Sequence, residues 1–170
     1  LPNVEMCHNF LPRPGDLIHL DIKPLGRFRQ IGHRIHGDPR RSSPGAGWEY
    51  VHVAVDDHSR VAYVEVLAAQ DGTHCAAFLQ RAITWFTARG IVCVRLLTDN
   101  GSGYVSRAFR EACARLGLDH RRTRPYTPRT NGKVERFNGT LAREWAYVRE
   151  YGSEAERRAA LIDFLNFAPS

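Results

Sequence analysis

The chain has 170 residues, 43% of them hydrophobic, enough for one domain with a real core and too few for two full ones. Its net charge of +6 favours a polyanionic partner, nucleic acid ahead of a membrane surface, and no apolar stretch reaches the roughly 20 residues a spanning helix needs. Cys7, Cys75, Cys93 and Cys113 fall at irregular spacings with no Cys-x-x-Cys pair, which points to reduced thiols of a cytosolic protein rather than a disulfide framework or a zinc site.

Residues 1–14 contain prolines and no period, and read as an arm or linker ahead of a core over 15–170. The chain begins at Leu rather than Met, so it reads as a piece of something longer; no signal peptide is visible. A first strand over about 16–24 sets His19 and Asp21 on one side and Ile18, Leu20 and Ile22 on the other. Residues 25–47 set Arg27, Arg29, Arg34, Arg40 and Arg41 against one acid, Asp38. They read as a long basic loop or irregular hairpin extension, either a solvated surface or a DNA contact made by Arg40 and Arg41. His33-x-x-His36 within it lacks the second ligand pair that zinc requires.

Trp48–Asp56 and Val61–Leu67 alternate with Val51, Val53 and Val55, then Ala62, Val64 and Val66, on one face. The Asp56-Asp-His-Ser-Arg60 turn makes them an antiparallel hairpin. Asp71-Gly-Thr73 caps a helix over about 74–89 with Ala76, Leu79, Ile83 and Phe86 as its core stripe, and Gly90 ends it. Val92–Thr98 reads as a buried strand delivering Asp99 to its carboxyl end, where open α/β sheets place their chemistry. A helix over 104–116 follows with Phe109, Ala112, Cys113 and Leu116 inward, then a fifth strand over 118–123. Pro125 and Pro128, with Asn131-Gly132, forbid regular structure until a long helix begins near Asn131. Its stripe is Val134, Phe137, Leu141, Trp145 and Val148, and Glu135 lies one residue off that stripe in the first turn. Ser153-x-x-Glu156 is a capping box that opens a last helix.

Asp99 before Asn-Gly has two readings, turn former or ligand. Asp21 sits inside an apolar run where strands seldom hold Asp, and Glu135 opens a helix. Three carboxylates from three elements converge only with a cation to offset their repulsion, and a divalent metal is the simplest one. Over 121–143, seven basic residues stand against one acid. Clustered arginines beside a carboxylate site suggest phosphate handling; a solvated helix face explains Arg136 and Arg143 equally well.

Three motifs, Leu20-Asp21-Ile22, Leu97-Thr-Asp99-Asn-Gly101 and Pro125-Tyr-Thr-Pro-Arg-Thr-Asn-Gly-Lys-Val-Glu135-Arg-Phe-Asn138, resemble the catalytic core of bacterial insertion-sequence transposases in the retroviral-integrase-like Asp-Asp-Glu superfamily. The resemblance covers about residues 15–168, and the 35 residues between Asp99 and Glu135 match that family's spacing. It implies a ribonuclease H-like α/β fold: a mixed five-stranded sheet, three antiparallel strands first and then parallel ones, flanked by helices. It makes Asp21, Asp99 and Glu135 the catalytic ligands of two Mg²⁺ or Mn²⁺ ions, a role that hard oxygen donors suit. Asn100 and Gly101, with Tyr126, become supporting loop residues, and Lys133 and Asn138 flank the DNA path; the basic clusters add Arg40, Arg41, Arg124, Arg129 and Arg136 as DNA-binding candidates.

The implied activity is two-metal phosphoryl transfer: water cleaves the donor strand and a DNA 3′-hydroxyl attacks target DNA. The implied partners are transposon ends, target DNA and further copies of the chain, at least a dimer on DNA, in the bacterial cytoplasm at the nucleoid and away from any membrane. A ribonuclease H-type nuclease shares the metal site but uses further core carboxylates, and an inactive DNA-binding module would not need all three acids. The chain departs from the family in showing no helix-turn-helix ahead of the core and in ending on Ala-Pro-Ser.

Overall fold

We describe residues 13–27, 47–123, 136 and 159–160 from a computed structural model of the chain. Five strands form a mixed sheet in the order β3-β2-β1-β4-β5. β1 (Ile18–Arg27) pairs antiparallel with β2 (Gly47–Asp56), which pairs antiparallel with β3 (Ala62–Leu67). On the other side β1 runs parallel to β4 (Arg95–Thr98), and β4 parallel to β5 (Asp119–Arg122). The expected sheet, antiparallel strands first and parallel strands after, is the one found.

α1 (Gly72–Thr87) makes the crossover from β3 to β4. Asp71 caps it as the sequence predicts, its carboxylate accepting from the His74 N–H at 3.0 Å. The core stripe is rotated from the expected one: Cys75, Phe78, Leu79, Ala82 and Phe86 are buried, whereas Ala76 and Ile83 are only partly so. Phe78, whose ring packs against His52 and Tyr63, takes the buried position, and Ala76 and Ile83 lie at the margin of the face.

β4 is shorter than the 92–98 strand expected. Val92 and Val94 are 70% and 46% exposed; the Val94 N–H donates to the Gly15 carbonyl at 2.9 Å and the Val94 carbonyl accepts from the Asp119 N–H at 3.1 Å. Gly15 itself has φ +92°, and a side chain there would overlap the Val92 carbonyl. The helix expected over 104–116 is two: α2 (Ser102–Val105) and α3 (Arg107–Arg115). Ser106 breaks them with extended backbone, accepting from the Phe109 N–H at 3.2 Å while its hydroxyl donates to the Gly103 carbonyl at 2.7 Å. Serine's short side chain competes well with the helix ladder at such a point.

The two sheet faces differ as strand alternation requires. One carries Ile18, Leu20, Ala54 and Leu96 under Phe78, Phe86 and Phe109 of the helices; the other carries Leu25, Val51, Val53 and Val55 with Ala62, Val64 and Val66. Helical Ala160 packs on this second cluster. The basic segment 25–47 begins and ends as strand, since the β1–β2 ladder continues to Arg27 opposite Gly47. Asp56, expected in the turn, is fully buried there and accepts from the Gly15 N–H (2.8 Å), the Ser59 N–H (2.7 Å) and the Ser59 hydroxyl (2.6 Å). That is the work of a structural carboxylate. Residues 1–12, most of the arm, and the capping box at Ser153 lie outside the described residues.

Candidate active site

The β1–β4 ladder pairs Ile18 with Leu96 and His19 with Leu97. Counted two residues further, that register brings Asp21 level with Asp99, one position past the end of β4. Neighbouring strands lie about 4.8 Å apart, so extending the register past its last pair leads to two acids from distant parts of the sequence at one end of the β1–β4 pair. Tyr104, in α2, senses both. Its side chain is buried, its hydroxyl has no hydrogen-bond partner among the described residues, and its pKa is raised well above 10 by burial first, then by the charges of Cys75, Asp21 and Asp99.

Asp99 is held from several sides. One carboxylate oxygen accepts from the Gly101 N–H at 2.8 Å, and among the described residues the side chain has no cationic partner. A Cβ at Gly101 would stand 2.9 Å from that same oxygen, so a side chain there would shift the Asp99 carboxylate. Asn100, expected as a loop-shaping residue, donates its amide to the Thr123 carbonyl at 2.8 Å and so ties the turn to the end of β5. Gly103 lets α2 dock on the start of α1, because a side chain there would overlap the Gln70 carbonyl and stand 2.5 Å from Cys75 Sγ.

Two residues that the motifs do not single out, Thr98 and His120, join this frame: Thr98 is buried, and its hydroxyl lies 2.8 Å from both the Asp99 carbonyl and His120 Nε2. Alternation in β5 could have pointed to His120, whose register partner is buried Leu96. Burial, and then the charge of Arg122, lowers the pKa of this histidine.

Among the described residues no group of three or more His, Cys, Asp or Glu side chains is placed to hold a metal. Asp21 and Asp99 are two of the three predicted ligands; the third, Glu135, lies outside the described residues. So do Arg40, Arg41, Arg124, Tyr126, Arg129, Lys133 and Asn138. Arg136 is described as helical and exposed. Carboxylate oxygens are the hard donor set that Mg²⁺ and Mn²⁺ take. Thiol ligation has no support here, since burial pushes Cys75 and Cys93 up to about 12 and Cys113 to about 11.

Sequence comparison finds the integrase core domain over residues 12–128, and a second integrase core domain family over 116–166. The Gag-Pro-Pol polyprotein of Mason-Pfizer monkey virus is 30% identical over 163 residues, covering 96% of this chain and 9% of the polyprotein. The chain therefore spans a small part of that relative's length. The fold is similar to a protein chain in the cryoEM structure of the simian T-cell lymphotropic virus intasome with PP2A regulatory subunit B56 gamma, at TM-score 0.65 and 22% identity, covering 92% of this chain and 50% of that one. It is also similar to the HTLV-2 integrase catalytic core domain in complex with magnesium in its dimeric form, at TM-score 0.54 and 19% identity, covering 76% and 68%.

Proposed function

This chain belongs to the integrase core domain family, and on that premise we propose that it is the catalytic core, over residues 15–170, of a DNA transposase of the bacterial insertion-sequence kind. The observation that supports the catalytic reading is the β1–β4 register, which two residues beyond its last pair leads to Asp21 and Asp99. The insertion-sequence assignment rests on the 125–138 motif, while the Mason-Pfizer monkey virus relative is a retroviral polyprotein. Magnesium in the HTLV-2 core domain supports the choice of metal, and the intasome and dimeric forms of related structures support DNA ends and a second copy as partners. The setting we propose is the bacterial cytoplasm, at the nucleoid.

In this reading Asp21, Asp99 and Glu135 hold two Mg²⁺ or Mn²⁺ ions. When bound, such ions activate an attacking oxygen and stabilise the leaving one in an in-line displacement at phosphorus. The protein's own part is positional. β1 carries Asp21 and the end of β4 delivers Asp99; the Gly101 N–H holds one oxygen of Asp99 and leaves the other to face a ligand. Glu135, which the sequence pattern assigns to the first turn of a helix, completes the set. Arg124, Arg129, Lys133, Arg136 and Asn138, with Arg40 and Arg41 of the basic insertion, hold the phosphodiester path.

The test is strand transfer on pre-cut duplex DNA with Mg²⁺. Joining by the wild-type chain that is lost in Asp99→Asn and Glu135→Gln, with salt-sensitive DNA binding retained, is the result this function requires. Retained joining by either variant refutes it, and hydrolysis of an RNA–DNA hybrid without joining would favour a nuclease instead.

A further inference from the structure

The hydroxyl of Thr98, at the last position of β4, has one proton and two neighbours. It donates to the Asp99 carbonyl at 2.8 Å, so it can only accept from His120 Nε2, also at 2.8 Å. His120 therefore carries its proton on Nε2, and a chain of two hydrogen bonds runs from the β5 imidazole through Thr98 to the main chain of Asp99. The opposite tautomer would turn the Thr98 proton toward the imidazole and leave the Asp99 carbonyl without it. The ring is itself seated: it packs edge-on against Phe109, with centroids 5.0 Å apart and planes at 72°. Two further bonds bind the same strand to the same turn, Asn100 Nδ2 to the Thr123 carbonyl and the Thr123 N–H to the Thr98 carbonyl, each at 2.8 Å.

We propose that His120 is a positioning residue for Asp99: acting through the Thr98 hydroxyl, it fixes the peptide plane from which the Asp99 carboxylate projects toward its metal. The inference deepens the proposed function and rests on its assignment of Asp99 as a ligand. Asp99 is itself exposed, one residue past β4, so its main chain depends on the bonds that tie this turn to β5: the Thr123 N–H on the Thr98 carbonyl, and the Thr98–His120 relay, whose ring packs on Phe109. Outer groups that orient a ligand commonly alter metal affinity by about 10–100-fold when removed.

The experiment compares His120→Leu, His120→Gln, Thr98→Val and Thr98→Ser with the wild-type chain. Two readouts are taken across a Mg²⁺ titration: the midpoint of metal-induced rise in melting temperature, and the midpoint of strand transfer on pre-cut duplex DNA. His120→Leu and Thr98→Val each break the relay with little change in volume, and each should raise both midpoints about tenfold. His120→Gln, whose amide nitrogen reaches the Nε2 position, and Thr98→Ser should return them to within about threefold of wild type. Should His120→Leu fail to fold, the isosteric Thr98→Val carries the same prediction. Wild-type midpoints in Thr98→Val, or a Gln variant as impaired as the Leu variant, overturn the positioning role. Asp99→Asn run alongside separates the two failures. If it still joins DNA, the ligand assignment itself falls; if it is inactive while the relay variants behave as wild type, only His120 loses its role.

Discussion

His19 pairs with Leu97 across parallel β1 and β4, and two residues further along each path come Asp21 and Asp99, 78 positions apart in sequence. Like charges brought close across neighbouring strands destabilise a sheet. Neutralising one should therefore help the metal-free fold while removing the metal response. Asp21→Asn is expected to stabilise the chain in EDTA by about 0.2–1 kcal/mol and to abolish the rise in melting temperature that Mg²⁺ or Mn²⁺ gives the wild type. Thermal melts with and without metal check both, and a variant that still responds to metal as wild type does would remove Asp21 from the site.

Phe78 is the side chain on which the helix-covered core is built, packed against His52 and Tyr63, whose ring centroids lie 5.3 and 5.6 Å away. Phe78→Ala should cost about 3–5 kcal/mol of stability, read as a lower urea midpoint at constant slope. A loss under about 1 kcal/mol would mean that the core is not packed around this ring.

Gly103 has ordinary backbone geometry, so its requirement is space alone. Gly103→Ala should destabilise by about 1–3 kcal/mol through overlap with the Gln70 carbonyl, and Cys75→Ala in the same chain should recover little, because the backbone carbonyl stays in place. Full recovery in the double variant would show Cys75 Sγ to be the obstacle.

His52 is fully buried, with Nε2 2.9 Å from the Ala69 carbonyl and Nδ1 without a partner among the described residues. Burial lowers its pKa below the ordinary 6.5. The fold thus favours the neutral ring, and the unfolded chain takes up the proton first as pH falls through 6.5. Its contribution is complete above that pH and is lost below it, with a slope approaching 1.4 kcal/mol per pH unit until the folded ring also titrates. His52→Gln keeps the donor and removes the titration, so its stability should fall less than that of wild type between pH 7 and 5. Parallel pH profiles would contradict this.

Much of this was legible in the chain because local chemistry and tertiary packing agree. Val51, Val53 and Val55 alternate and all face one cluster; Asp71 reads as a cap and is one. What was not legible depends on groups far away in sequence. Val92 and Val94 have strand propensity, but β4 begins only at Arg95, and the Val94 N–H goes to the Gly15 carbonyl ahead of β1. The 104–116 helix breaks at Ser106 because the Gly103 carbonyl offers its hydroxyl a partner. At the site, Asp21 and Asp99 were named from an acid inside one strand and an acid at the end of another. His120 escaped notice because its role depends on Thr98, 22 positions earlier.

The proposed DNA path makes a separate demand on the basic insertion. Neutralising Arg40 and Arg41 should lower the slope of log affinity against log salt by roughly 0.9 for each phosphate that the insertion no longer neutralises. An unchanged slope returns the insertion to a solvated surface and leaves catalysis to the carboxylates.

If Asp21, Asp99 and Glu135 share a pair of divalent cations, crystals soaked in Mn²⁺ will reveal it by anomalous scattering. Manganese peaks are expected against oxygens of Asp21 and Asp99 at the end of β4, closed off by Glu135. Manganese bound elsewhere, with these three side chains on unrelated surfaces, would contradict it.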